Sequence, residues 1–199
     1  MLTRARFLRL GATIALGSVA APVAARAALP TPTPQGDDAG FLQFGALTER
    51  TALVFYRRAV KLPGVWSSAE RRRLRAAGLQ KAEHVKRLTA ALAADAPSVG
   101  DYAIELPTSA FATRRGALEL GRNLELLLTG VYVSGVAFTA DPASRLLLGR
   151  LLAADAQHLA TLRDLAGLPP GGGLPDPIEL EAAGAQLDRF LQANGYPTI

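Results

Sequence analysis

The sequence has no cysteine, and that one absence removes disulfides, thiolate metal sites, iron–sulfur clusters, a cysteine nucleophile and lipidation at a cysteine. It also has no run of about 20 predominantly apolar residues, the length a membrane-spanning helix needs. Strand signals are nearly missing: Val131-Tyr132-Val133 is the only short β-favouring cluster, and it sits inside a stretch of helical periodicity. Glycine and proline, at 19 and 13 residues, fall short of a low-complexity composition. What is present is apolar: 49% of the 199 residues are hydrophobic, which suits one domain of ordinary size with its own core.

The formal charge is +5, a surplus that would suggest nucleic acid or an anionic membrane if it were spread over a folded surface. It is concentrated at one end. Arg4, Arg6 and Arg9 form a basic head, Leu10 to Val23 is an Ala/Gly-rich apolar run broken by Pro22, and Ala25-Arg26-Ala27 has the small-x-small form of a signal-peptidase site. Residues 1–27 are therefore expected to be an export signal cleaved after Ala27. Thr3-Arg4-Ala5-Arg6-Phe7-Leu8-Arg9 resembles a twin-arginine signal with Ala5 in place of the second arginine, so both that route and the general secretory route stay open. Cleavage removes four of the 22 basic residues and no acidic one, leaving 18 against 17, or +1. No nucleic-acid partner is expected, and no integral membrane segment remains after cleavage. The expected location is the periplasm, the cell envelope or the extracellular space.

Residues 28–36 carry proline at every second position from Pro30 to Pro34 and read as an extended spacer. Helix signals follow. Asp37 or Asp38 can cap a helix that Pro63-Gly64 stops; Ser67-Ser68-Ala69-Glu70 has capping-box spacing and opens a second helix, ending before Pro97. Residues 96–112 lack helical periodicity. Thr113 can cap a third helix reaching about Thr139, and Asp141-Pro142 opens a fourth that ends at Gly167. After Gly171-Gly172-Gly173, Asp176-Pro177 opens a shorter fifth helix expected to reach Ala193. Two helix hairpins joined by one crossover give an all-α, four-helix bundle over 37–167, with a hinge and C-terminal helix over 168–199.

The inner faces of these helices are not wholly apolar. Glu49 shares a face with Leu42, Ala46, Leu53, Tyr56 and Val60, and Glu125 shares one with Leu118, Gly121, Leu128, Tyr132 and Val136. Each glutamate is followed seven residues on by a tyrosine. The only two histidines, His84 and His158, fall on the second and fourth helices, 35 and 33 residues after the two glutamates, and Asp155 precedes His158 by three. The two hairpins thus repeat one plan, as an internal duplication would. A buried carboxylate is costly unless paired or bound to a metal.

The stretches Glu49-Arg-Thr-Ala-Leu-Val-Phe-Tyr56, Lys81-Ala-Glu-His84-Val, Glu125-Leu-Leu-Leu-Thr-Gly-Val-Tyr132 and Asp155-Ala-Gln-His158-Leu resemble the ferritin-like di-iron carboxylate proteins, most of all the exported bacterial ferritin-like domain proteins. The resemblance spans about residues 38–166. It implies a ferritin-like four-helix bundle with its long crossover between helices 2 and 3. It also implies Glu49 and Glu125 as single carboxylate ligands, His84 and His158 as histidine ligands, and Asp155 as one bridging carboxylate. The other bridging position is Lys81, which as an ammonium cannot ligate a metal. Glu83, one residue from His84, is about 100 degrees away around the helix and should face elsewhere.

Two readings follow. In one, these residues hold iron, manganese or zinc; a redox metal could then support oxidase-like or peroxide-reactive chemistry, with Tyr56 and Tyr132 close by. In the other, the Lys81 ammonium takes the cation position, pairs with Glu49, Glu125 or Asp155, and leaves a metal-free structural or interaction module. No catalytic residue is assigned, a homo-oligomer stays open, and the sequence names no protein partner. The basic cluster Arg71-Arg72-Arg73 with Arg75 is expected on a solvated face.

Overall fold

A computed structural model describes residues 37–98, 102–173 and 175–193, so the expected export signal and spacer lie outside the described residues. Four long helices form an all-α bundle: α1 (Asp37–Ala59), α2 (Ser68–Leu92), α3 (Arg114–Phe138) and α4 (Pro142–Leu165). Their starts follow the local capping chemistry. Ser67 and Glu70 form a reciprocal capping box, with Ser67 Oγ accepting from Glu70 N at 3.2 Å and Glu70 Oε2 accepting from Ser67 N at 2.8 Å. Thr113 accepts from Gly116 N, and Asp141 accepts from Ser144 N with Pro142 opening the helix.

Asp38 departs from its expected role as a cap. It is buried, and its two carboxylate oxygens accept from Ala140 N and Asp141 N, each at 2.8 Å, so it fastens α1 to the α3–α4 turn. Arg71 likewise turns inward, donating to Val60 O at 2.9 Å and Leu62 O at 3.4 Å, where it caps the orphan carbonyls after α1. Arg73 pairs with Asp164 at 2.7 Å.

The hairpins α1–α2 and α3–α4 are joined by a crossover whose length is set by α2 and α3 running parallel. It carries 3-10 turns at Ala93–Asp95 and Thr108–Phe111 and a short strand β1 (Tyr102–Ile104). The fifth helix, α5 (Leu180–Leu187), is shorter than its expected 176–193 span. The chain instead continues through a 3-10 turn into β2 (Leu191–Ala193), which pairs antiparallel with β1, Ala103 opposite Gln192. An exposed backbone edge in the crossover thus gains ladder partners that an extension of α5 would deny it. Ahead of α5, Ile178 N bonds Gly130 O at 3.1 Å, and the Ile178 side chain sits where a Cβ on Gly130 would be. No described helix is long and apolar enough to cross a membrane.

The apolar core falls into two clusters. One groups Phe41, Phe44, Leu88, Leu92, Leu128, Val131 and Leu148; the other groups Phe55, Trp66, Leu74, Phe111, Leu118, Leu124 and Leu162. Between these two sets every long helix buries polar residues: Glu49, Lys81 with His84, Glu125, and Asp155 with His158. Close approach of the helices at this level depends on small residues. A Cβ on Gly45 would lie 2.9 Å from Tyr132 Oη, and one on Gly121 would collide with the Phe55 ring. Each glycine precedes its glutamate by four residues, so both halves read Gly-x-x-x-Glu-x6-Tyr. Gly121→Ala is expected to destabilise the bundle by about 1–3 kcal/mol through overpacking against Phe55. Denaturant unfolding measures it, and an unchanged midpoint would contradict the close packing.

Candidate functional site

Each helix delivers its polar residues to one level. Glu49 comes from α1, Lys81 and His84 from α2, Glu125 from α3, and Asp155 and His158 from α4; all six are buried, and Glu83 faces outward to pair with Arg87. Spacing explains this convergence. Lys81 and His84, like Asp155 and His158, are three apart and so share a helix face.

Lys81 Nζ lies at the centre, 2.7 Å from Asp155 Oδ1, 2.9 Å from Glu125 Oε2 and 3.0 Å from Glu49 Oε2. The first two are hydrogen bonds. The third is an ion-pair contact without hydrogen-bond alignment, for Glu49 Oε2 has no hydrogen-bond partner among the described residues. The expected pairing with one of three carboxylates is therefore a pairing with all three. Glu49 Oε1 accepts from Tyr132 Oη at 3.1 Å and meets His84 Nδ1 at 3.1 Å, while Glu125 Oε1 accepts from Tyr56 Oη at 2.8 Å. Each tyrosine thus bonds the glutamate of the other half, a crossed arrangement that repeats the duplication in space.

The outer edge is completed by Gln80, which carried no signal in the sequence. Its Oε1 is 2.6 Å from His158 Nε2, and an amide oxygen only accepts, so Nε2 carries a proton. His158 Nδ1 then turns inward, 3.4 Å from Asp155 Oδ1 and 3.8 Å from Glu125 Oε1, without a hydrogen-bond partner.

Electrostatics separate Asp155 from Glu125. Burial alone would raise Asp155, but the adjacent Lys81 ammonium holds it far below the usual range. Burial raises Glu125 to about 7, with Lys81 opposing and the charges of Asp155 and Glu49 reinforcing the shift. For Lys81, burial is unfavourable to the charge, but Asp155, Glu125 and Glu49 outweigh it and the ammonium is stabilised. His84 follows the same logic: desolvation lowers it, hydrogen bonds and charge from Asp155 and Glu49 raise it, and it settles at about 9. Both tyrosine hydroxyls are pushed well above 10 by burial and by the carboxylates they face. Charged Lys81 and His84 against three carboxylates leave one negative charge in excess. Glu125, raised toward neutrality by burial, can hold the proton that removes it.

Two donor groups have metal-binding spacing, Glu49 with His84 and Asp155, and Glu125 with Asp155 and His158; within each, the ligand atoms lie within 4.8 Å of one another. They share Asp155, whose Oδ1 already accepts from Lys81. A pair of divalent ions bridged across these groups does not fit, because the space between the carboxylates holds an ammonium and the second bridging carboxylate is absent.

A family model described as a ferritin-like domain matches residues 37–168, the span of α1 to α4. The comparison with curated proteins found no match.

Two outcomes follow from the charge arrangement. Lys81→Met removes the cation from three buried carboxylates and is expected to cost about 3–5 kcal/mol at neutral pH, read by denaturant unfolding. Because His84 is raised from 6.5 to about 9 in the folded state, its contribution is fully present below pH 6.5 and is lost as pH rises through 9. Tm should therefore fall over that window, and His84→Gln should flatten the fall; an identical slope in the variant would contradict a charged His84.

Proposed function

The chain belongs to the ferritin-like domain family, and on that premise we propose that it is an exported member whose bundle is metal-free, a structural or interaction module in which Lys81 stands where the metal would be. The observation that carries this reading is the contact of Lys81 Nζ with all three buried carboxylates at 2.7–3.0 Å. A divalent metal and an ammonium compete for the same lone pairs, and the ammonium is covalently fixed at the site. Loss of Lys81 charge to admit a metal is opposed by the carboxylates that stabilise it. Export rests on the basic head, apolar run and Ala25-Arg26-Ala27 of the sequence.

A second reading rests on two buried atoms of one donor group, Asp155 Oδ2 and His158 Nδ1, that no hydrogen bond satisfies among the described residues. Together with Glu125 they offer nitrogen and oxygen donors that suit a single iron, manganese or zinc ion. In that arrangement Glu125, Asp155 and His158 would hold the ion and Lys81 would lower the charge of the carboxylates around it.

Elemental analysis of the purified protein separates the two. The first reading expects less than roughly a tenth of an equivalent of any transition metal, unchanged by anaerobic Fe(II) or Mn(II) addition. A stoichiometric ion would overturn it in favour of the second. Lys81→Glu restores a carboxylate at the bridging position and is expected to gain metal that the parent chain does not bind. For export, N-terminal sequencing of protein from the exported fraction should begin at Ala28, and an intact Met1 would contradict cleavage.

A further inference from the structure

Outside the polar centre, a cleft on the bundle surface combines an apolar wall with unmatched charge. It lies between the first half of α3 and the C-terminal end of α4 and has a volume of about 610 Å³, within the range of small-molecule sites. Leu118 and Leu165, both nearly buried, contribute apolar wall, and Leu168 continues it toward the rim. Arg115, Glu119 and Arg122 line the same cleft from one face of α3, at helical spacing of four and three residues.

The arginines at this cleft differ in what they already bind. Arg114 is committed: it donates to Glu70 at 2.7 Å, to Leu165 O at 2.8 Å and to Val65 O at 3.2 Å, and its guanidinium lies 4.8 Å from the centre of the Trp66 ring. It stiffens the wall. Arg115 and Arg122, by contrast, form no ion pair with a carboxylate among the described residues, even though Glu119 lies between them on the helix. Arg122 Nε is shielded from solvent and has no hydrogen-bond partner among the described residues. That shielding puts Nε itself out of a ligand's reach in this rotamer, so what Arg122 offers the cleft is its unmatched positive charge. Arg115 also sits in the first turn of α3, where its charge adds to the positive end of the helix.

We propose that this cleft binds a small amphiphilic anion, a molecule with one carboxylate or phosphate head held by Arg115 and Arg122 and a short apolar body against Leu118, Leu165 and Leu168. Planar guanidinium groups suit both head groups, and the leucine wall selects against bare inorganic ions. Glu119 opposes the head and weakens binding. The site shares no side chain with the Lys81 centre and stands whether or not that centre holds metal.

Calorimetric titration of the full chain with hexyl phosphate, hexanoate, inorganic phosphate and 1-hexanol tests the site. Saturable binding of hexyl phosphate or hexanoate is expected, and whichever binds more tightly identifies the head group. Inorganic phosphate and hexanol, each lacking one half of the ligand, should bind at least roughly tenfold more weakly. Arg115→Gln/Arg122→Gln should weaken binding by roughly tenfold or more, Glu119→Gln should tighten it, and added salt should weaken it. Arg115 and Glu119 are exposed and Arg122 is half-buried, and circular dichroism checks that the variants keep the fold. The proposal is overturned by the absence of saturable binding up to about 10 mM, by binding that survives the double arginine variant in a folded protein, or by inorganic phosphate binding as tightly as the hexyl anions.

Discussion

An ammonium surrounded by three carboxylates, in the middle of four helices and out of contact with water, constrains the rest of this bundle. Lys81 reaches Glu49 on α1, Glu125 on α3 and Asp155 on α4 from its own place on α2, so one side chain contacts all three other helices. Such a centre adds little net stability, because desolvating four charged groups offsets much of their mutual attraction. Its effect is on register. Sliding any helix by a turn would move its charged residue about 5.4 Å along the axis and strand it in apolar surroundings. The two hydrophobic clusters on either side supply the burial that stabilises the bundle, and the charged layer between them restricts which alignment that burial can adopt.

The duplication makes the nature of this centre clearer. Glycine, glutamate and tyrosine recur at matching intervals in the two halves, and the tyrosines cross to bond the opposite glutamates. Where the pattern reaches the residue three before each histidine, the halves part: Lys81 in one, Asp155 in the other, 2.7 Å apart. Two carboxylates at such a distance would need a bridging cation or a shared proton. A lysine opposite an aspartate neutralises itself. The same alignment of helices that would bring bridging ligands together therefore closes a direct ion pair here, and the remaining excess of negative charge is small enough for His84 and a raised Glu125 to absorb.

Much of this is readable from the sequence alone, and the boundary between what is and what is not is physical. The starts of α2, α3 and α4 were legible because Ser67 with Glu70, Thr113 and Asp141-Pro142 act on backbone groups two or three residues away. Glu49, Glu125, Asp155 and His158 were legible on inner faces from helical spacing, and the resemblance to ferritin-like proteins placed His84 and Lys81 beside them. Local rules misplaced Asp38, since they reward an acidic residue before a helix and are blind to the Ala140 and Asp141 amides over 100 residues away. They also misread the chain end, where β2 depends on a partner strand in the crossover. Gln80 and the three-way contact of Lys81 left no trace in the sequence, because both depend on side-chain reach across helices rather than on spacing along one.

A centre that satisfies its charge from within has a consequence for where the chain can meet other molecules. The Lys81 ammonium, the three carboxylates and both tyrosine hydroxyls face one another, so the most polar part of the protein presents almost nothing to solvent. Recognition then falls to groups whose charge is not already matched. Arg71, Arg73 and Arg114 are engaged in holding helix ends together, through backbone carbonyls, Asp164 and Glu70. Arg115 and Arg122 have the same chemistry but no carboxylate partner among the described residues, and they stand beside an apolar wall at a seam between two rigid helices. Burial fixes the first set of charges as structure, and the lack of a partner leaves the second set available, so structure and recognition are divided between residues that composition alone would count together.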